Sequence, residues 1–216
     1  MVKFGQESKR KRLENFLEDI AEYQQEMAQI EGLDREAGVV IATSGTRVVE
    51  ARGYTWALDW AAVQLLPKRP MKDIIEHTKK EQFIHGMRGE ELREWSVSML
   101  QPGIRVSKRG RTTGWTEGYV NSIKADLNIT RKEGNKAINP YKGTITAWVV
   151  HNSFGMGKFC DSGSIILNSR TTSQLGLMFG NDLYTGFGYF TPFDLVIRDI
   201  ENITGGRVVK PTHNDG

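Results

Sequence analysis

Hydrophobic and polar positions follow two different periods along the chain. Within residues 7–31, Leu13, Phe16, Ile20, Tyr23, Met27 and Ile30 recur at spacings of 3, 4, 3, 4 and 3. Acidic and amide residues fill the positions between them, so the pattern predicts a helix with one apolar seam. The seam is shorter than the three to four heptads expected of a coiled coil. It fits a helix laid on its own domain, or one that docks a partner or a second copy. Gly32 is the expected stop. Lys9-Arg10-Lys11-Arg12 fits either a solvated helix start or a nuclear-import signal.

From residue 37 the period shortens. Gly38-Val39-Val40-Ile41-Ala42 reads as a buried strand and Arg47–Glu50 as a weaker one. Leu58–Leu66 reads as a third, with Asp59 at its head. An aspartate at that place is either an exposed strand-end acid or a buried one that needs a partner. Residues 67–98 mix acidic and basic residues around Pro67 and Pro70, which predicts a solvated connector. Its histidines, His77 and His85, lack metal-ligand spacing.

Beyond about residue 103 six strands are predicted: Ile104–Lys108, Thr116–Ala125, Gly143–Val150, Gly163–Asn168, Gln174–Phe179 and Gly186–Thr191. Strands punctuated this regularly suggest a closed barrel, in which closure removes the sheet edges. Leu195, Val196, Ile200 and Ile203 then show helical spacing up to Gly205-Gly206, and residues 207–216 read as a tail.

Composition narrows the function classes. The 216 residues carry 29 basic and 26 acidic side chains, a net charge of +3, too weak to predict nucleic-acid binding. The single cysteine, Cys160, allows no internal disulfide and predicts an intracellular protein, cytoplasmic or nuclear, rather than a secreted one. No apolar run of about 18 residues predicts a membrane span. No clustered ligands and no phosphate-binding glycine loop call for a metal or cofactor.

The candidate chemistry lies at Phe159-Cys160-Asp161-Ser162-Gly163-Ser164, just before Ile165-Ile166-Leu167. A serine between aspartate and glycine can sit on a tight turn with its hydroxyl presented. Such a turn can also aim successive backbone N–H groups at one point. An ordinary strand-connecting turn has the same composition.

With Leu58-Asp59-Trp60-Ala61 and Gly188-Tyr189-Phe190-Thr191-Pro192 in order around it, this stretch resembles the chymotrypsin/trypsin-like serine proteases, in particular the intracellular fungal type. The resemblance covers roughly residues 36–204. It implies a chymotrypsin-like, mainly β fold: a complete second barrel over 103–206 with its closing helix, a partial first barrel over 36–66, and a connector over 67–102. The N-terminal helix then occupies 1–35. The resemblance implies acyl transfer, with Ser162 as nucleophile, Asp59 as the acid that orients a histidine, and the N–H groups of Cys160 and Ser162 as the oxyanion hole. Asp161 resembles the acid that in mature trypsin-like enzymes locks this turn through a buried ion pair. In bacterial and intracellular relatives other contacts hold the turn, so the resemblance implies no zymogen mechanism. Gly163 completes the motif. Met178, Phe179 and Gly180 would form a pocket wall and the strand that pairs with a peptide. Phe154–Gly157 would hold the pocket floor, made apolar or partly filled by Met156 and Phe179.

Two departures qualify the expected activity. No histidine precedes Asp59, and His151, at the end of a second-barrel strand, does not match the family's base. Together with only three strands in the first set, this predicts a chain that begins after the histidine-bearing strands. Cys160 also replaces the glycine of the oxyanion turn, where a Cβ is expected to tilt the N–H or obstruct the cleft. The expectation is a serine-protease-like protein that is inactive as this chain. The alternative is a degenerate protease that binds a peptide along residues 174–180 and a partner through helix 7–31.

Overall fold

The computed structural model describes residues 2–32, 36–67, 100–134, 136–152 and 155–209. His77, His85, His213 and the expected pocket-floor residue Phe154 lie outside the described residues. The chain divides into two units, Met1–Gly38 with Leu65–Arg69, and Val39–Gln64 with Pro70–Gly216.

In the first unit, helix α1 (Val2–Glu31) begins about one turn earlier than its seam predicts. Its last turn closes with the Gly32 N–H donating to the Ala28 carbonyl at 3.1 Å. Arg10 and Glu14, one turn apart, form an exposed ion pair at 3.0 Å.

The second unit opens with four strands: β1 (Gly38–Thr43), β2 (Arg47–Ala51), β3 (Tyr54–Leu58) and β4 (Ala61–Leu65). This differs from the three strands expected. Arg52 (φ 57°) and Gly53 (φ 75°) both adopt left-handed backbone between Ala51 and its cross-strand partner Tyr54. That two-residue turn matches the natural twist of a hairpin, so β3 folds back on β2. The segment from Leu58 to Leu66 is therefore not one strand. Leu58 ends β3, Ala61 starts β4, and Asp59 lies in the break between them.

The strands that follow are β5 (Arg105–Gly110), β6 (Gly114–Val120), β7 (Ala125–Leu127), β8 (Arg131–Glu133), β9 (Lys136–Ile138), β10 (Ile145–His151), β11 (Ile165–Asn168), β12 (Gln174–Asn181) and β13 (Gly188–Pro192). Six of them close a barrel in the order β5-β6-β10-β13-β12-β11, with β11 returning to β5. Every neighbouring pair in this ring is antiparallel. Val106, Val120, Val150, Met156, Ile166, Leu175, Met178 and Phe190 fill its interior as one core. The predicted strand over 116–125 ends at Val120, and β7 pairs separately with β10. The β8–β9 hairpin is an addition that the apolar pattern does not signal.

Helix α2 (Phe193–Thr204) follows β13 and stops at Gly205, which takes the left-handed conformation (φ 67°). Its Val196 packs with Leu58 and Trp60 in a second core, against which Val49, Leu177 and Ile200 also pack. Polar bonds fix the same contact. The Trp60 indole donates to Asp199 Oδ2 at 2.8 Å, Arg47 pairs with Asp199, and Arg52 pairs with Asp194. β3 extends the barrel sheet beyond β10 in parallel, with Trp56 beside Thr146. The mainly β fold class expected from sequence is thus adopted: a complete six-stranded barrel, further strands ahead of it and a helix at each end.

Asp199→Ala would leave the Trp60 N–H buried without an acceptor. It is expected to lower unfolding free energy by about 1–3 kcal/mol in denaturant titration. A change within about 0.5 kcal/mol would show that the Asp199 bonds do not hold α2 to the first strands.

Candidate functional site

Two successive tight turns build the candidate site between Lys158 and Ser164. The Asp161 N–H donates to the Lys158 carbonyl at 3.2 Å, and the Ser164 N–H to the Asp161 carbonyl at 3.2 Å. The third residue of each turn has positive φ: Cys160 at 73° and Gly163 at 90°. That is the requirement of a type II turn. Glycine meets it freely; a cysteine does so at a cost on the order of 1 kcal/mol. Cys160 therefore keeps a glycine-like backbone, and its side chain is exposed.

The strain is held by Asp161, which is 1% exposed. Its carboxylate accepts from the N–H of Lys158 at 2.9 Å, the N–H of Thr112 at 2.8 Å and the hydroxyl of Thr113 at 2.8 Å. The ammonium of Lys108, on β5, stands 3.3 Å away, and both side chains are fully excluded from solvent. Lys108 also donates to the Thr113 hydroxyl at 2.7 Å. Burial by itself would raise the Asp161 pKa. The Lys158 and Thr112 N–H groups, the Thr113 hydroxyl and the Lys108 charge outweigh it and hold the pKa at about 2. Burial lowers the Lys108 pKa, with Asp161 opposing that shift. Gly110 makes room for the pair: a Cβ there would lie 2.3 Å from Asp161 Oδ1.

Strand β12 completes the site. The Gly163 N–H donates to the Met178 carbonyl at 2.8 Å, and the Met178 N–H to the Ser164 carbonyl at 2.9 Å. The Ser162 hydroxyl, exposed, donates to the Phe179 carbonyl at 3.1 Å. The β12–β13 register shifts between Met178 and Gly180, so Phe179 lies in an irregularity of the strand. Among the described residues, no hydrogen bond is made by the N–H of Cys160 or of Ser162 to a protein acceptor.

Met156 and Met178 belong to the barrel core. Met156 is fully buried, and a Cβ on Gly188 would lie 3.0 Å from its Cγ. The Met178 methyl reaches Gly157, where a Cβ would meet it at 2.4 Å. Met178 is therefore a core residue whose backbone, rather than its side chain, serves the serine turn.

The structure gathers Cys160, Asp161, Ser162, Gly163, Met178 and Phe179 into one site, with Gly180 next along β12. It does not bring Asp59 to them through any hydrogen bond or ion pair among the described residues. Asp59 is exposed between buried Leu58 and Trp60. Its charge is felt by Tyr141, whose phenol is pushed up by burial and then by Asp59. His151 is exposed at the end of β10, opposite Tyr119, with ring centroids 6.2 Å apart. Neither histidine nor carboxylate accepts the Ser162 proton among the described residues.

Lys108, Gly110, Thr112 and Thr113 escape sequence reasoning, which reads them as a strand end and a turn. One signal was available: Lys108 stands two residues after Val106, on the same strand face as a core residue. No group of three or more potential metal ligands occurs among the described residues.

No protein-family model and no curated protein matches the sequence. Solved structures of bacterial proteases align with the chain at low identity. Thermobifida fusca protease A does so with a TM-score of 0.45 and 17% identity over 75% of each chain. A Cellulomonas bogoriensis chymotrypsin gives 0.44 and 14%, covering 75% of this chain and 85% of its own. The Nocardiopsis protease gives 0.44 and 14%, covering 75% and 94%. These values do not transfer chemistry, which must come from this chain's own geometry.

The depressed Asp161 pKa has a pH signature. The stability it confers is present above the ordinary aspartate value of 3.8 and is lost as pH falls toward about 2. The linked stabilisation is about 2 kcal/mol. Denaturant midpoints of the unchanged protein and Asp161→Asn should therefore differ at pH 7 and converge between pH 4 and pH 2. A constant difference over that window would refute the assignment.

Proposed function

We propose that the chain is a serine-protease-like protein that does not hydrolyse peptides by itself. The observation that carries this reading is the Ser162 hydroxyl bond to the Phe179 carbonyl, 3.1 Å long. A nucleophilic serine needs an acceptor that can take its proton, as an imidazole does. A backbone carbonyl holds the hydroxyl but cannot deprotonate it. The exposed Asp59, without a histidine to orient among the described residues, supports the same conclusion. Fully buried Met156 and Met178, packed against Gly188 and Gly157, argue against a deep side-chain pocket.

A second reading, a peptide-binding module, is favoured by one feature. The Cys160 and Ser162 N–H groups lie in an exposed, rigid turn without protein acceptors among the described residues. Two such donors suit the carbonyl or carboxylate oxygen of an extended peptide laid along β12. We place either activity inside the cell. The single, exposed, unpaired Cys160 fits a reducing compartment. No described helix is long and apolar enough to cross a membrane.

Reaction with a fluorophosphonate probe tests the main reading. The chain should label no faster than its Ser162→Ala variant. Labelling that Ser162→Ala abolishes would overturn it.

A further inference from the structure

We infer that Thr112 is a phosphorylation site for an arginine-directed Ser/Thr kinase, and that its phosphate loosens the serine turn. This holds whether or not Ser162 is catalytic, and it shares only the intracellular setting with the proposed function. Every residue involved belongs to the second unit. Thr112 lies in the turn beyond Gly110 and Gly114, the last cross-strand pair of β5 and β6, and is exposed. Arg109 and Arg111, both exposed, stand three positions and one position before it. No other Ser or Thr of the chain has two arginines among the three residues that precede it. Guanidinium groups at fixed steps before a hydroxyl form a charge pattern that carboxylates around a kinase cleft can read.

Thr112 is also tied to the candidate site. Its hydroxyl donates to the Phe159 carbonyl at 2.6 Å, and its N–H to Asp161 Oδ1 at 2.8 Å. Phosphorylation moves the γ-phosphoryl group of ATP to Thr112 Oγ1. The new O–P bond replaces the one to the departing ADP, and the hydroxyl proton passes to the kinase's base. The ester oxygen then has no proton to give the Phe159 carbonyl. A phosphate of about −1.5 to −2 charge is also brought onto a residue that contacts the Asp161 carboxylate, and like charge repels there. The lost bond and the added repulsion act on the same short segment, in which Cys160 and Gly163 hold positive φ. A turn that persists only while its surroundings over-determine it is the kind that such a change releases.

The test incubates the full chain with MgATP and a panel of purified arginine-directed kinases, and maps the sites by tandem mass spectrometry. Phosphate is expected on Thr112, kept on the serine of Thr112→Ser and lost in Thr112→Val. Arg109→Ala should slow the transfer by about tenfold or more, as loss of a charge-assisted contact does. Amide hydrogen exchange of the phosphorylated chain should quicken at Gly163 and Ser164 by about tenfold, while β10 stays protected. No phosphate on Thr112 of the folded chain overturns the inference, and so does transfer indifferent to Arg109→Ala. Phosphorylation that leaves exchange at Gly163 and Ser164 unchanged overturns the link to the serine turn. Near-ultraviolet circular dichroism checks that each variant is folded, and Thr112→Ser keeps the test decisive if Thr112→Val is not.

Discussion

A carboxylate and an ammonium with no access to water hold the candidate site together. Taking Lys108 and Asp161 out of solvent costs several kcal/mol per ion, and their mutual attraction offsets this only with good geometry and further hydrogen bonds. Both conditions are met. Asp161 has donors from Lys158, Thr112 and Thr113 in addition to Lys108, and Lys108 has the Thr113 hydroxyl. The pair connects strand β5 to the turn that precedes β11. It therefore fixes that turn against β5 and the turn between β5 and β6, in addition to the bonds to β12.

What depends on this lock is the backbone of Cys160 to Gly163. Two left-handed residues in one short turn are costly when one is a cysteine, and they persist only if the surroundings over-determine them. Asp161, centred between them, supplies that constraint, as do the Gly163 and Ser164 bonds to Met178. The result is a rigid turn with a presented serine. Its hydroxyl is satisfied by a strand carbonyl rather than by a base. A well-made turn is thus separable from a working catalytic group: the first needs Lys108 and β12, the second needs a proton acceptor in reach of Ser162.

The barrel is legible because its strands are β-rich runs separated by regular turn signals. All six strands fall near their predicted places, and α2 begins after Pro192 and ends at Gly205 as its spacing indicates. The β2–β3 hairpin was not legible. Its left-handed turn is made by Arg52-Gly53, without the Asn or Asp that usually marks one, and Tyr54–Leu58 was absorbed into a neighbouring loop and strand. The serine turn was found from its motif. Its lock was not, because Lys108 is 53 positions from Asp161 and a lone lysine in a strand normally faces water. Asp59 illustrates the converse: its motif is recognisable, yet its place in a break between strands leaves it exposed.

Direct coupling between Lys108 and Asp161 is measured by a double-mutant cycle of Lys108→Met and Asp161→Asn in equilibrium unfolding at pH 7. Each single change leaves part of a buried charge or donor set unpartnered. The two effects are predicted to be non-additive by about 2–3 kcal/mol. Additivity within about 0.5 kcal/mol would mean that the residues act independently, and that the serine turn owes its conformation to its backbone bonds alone.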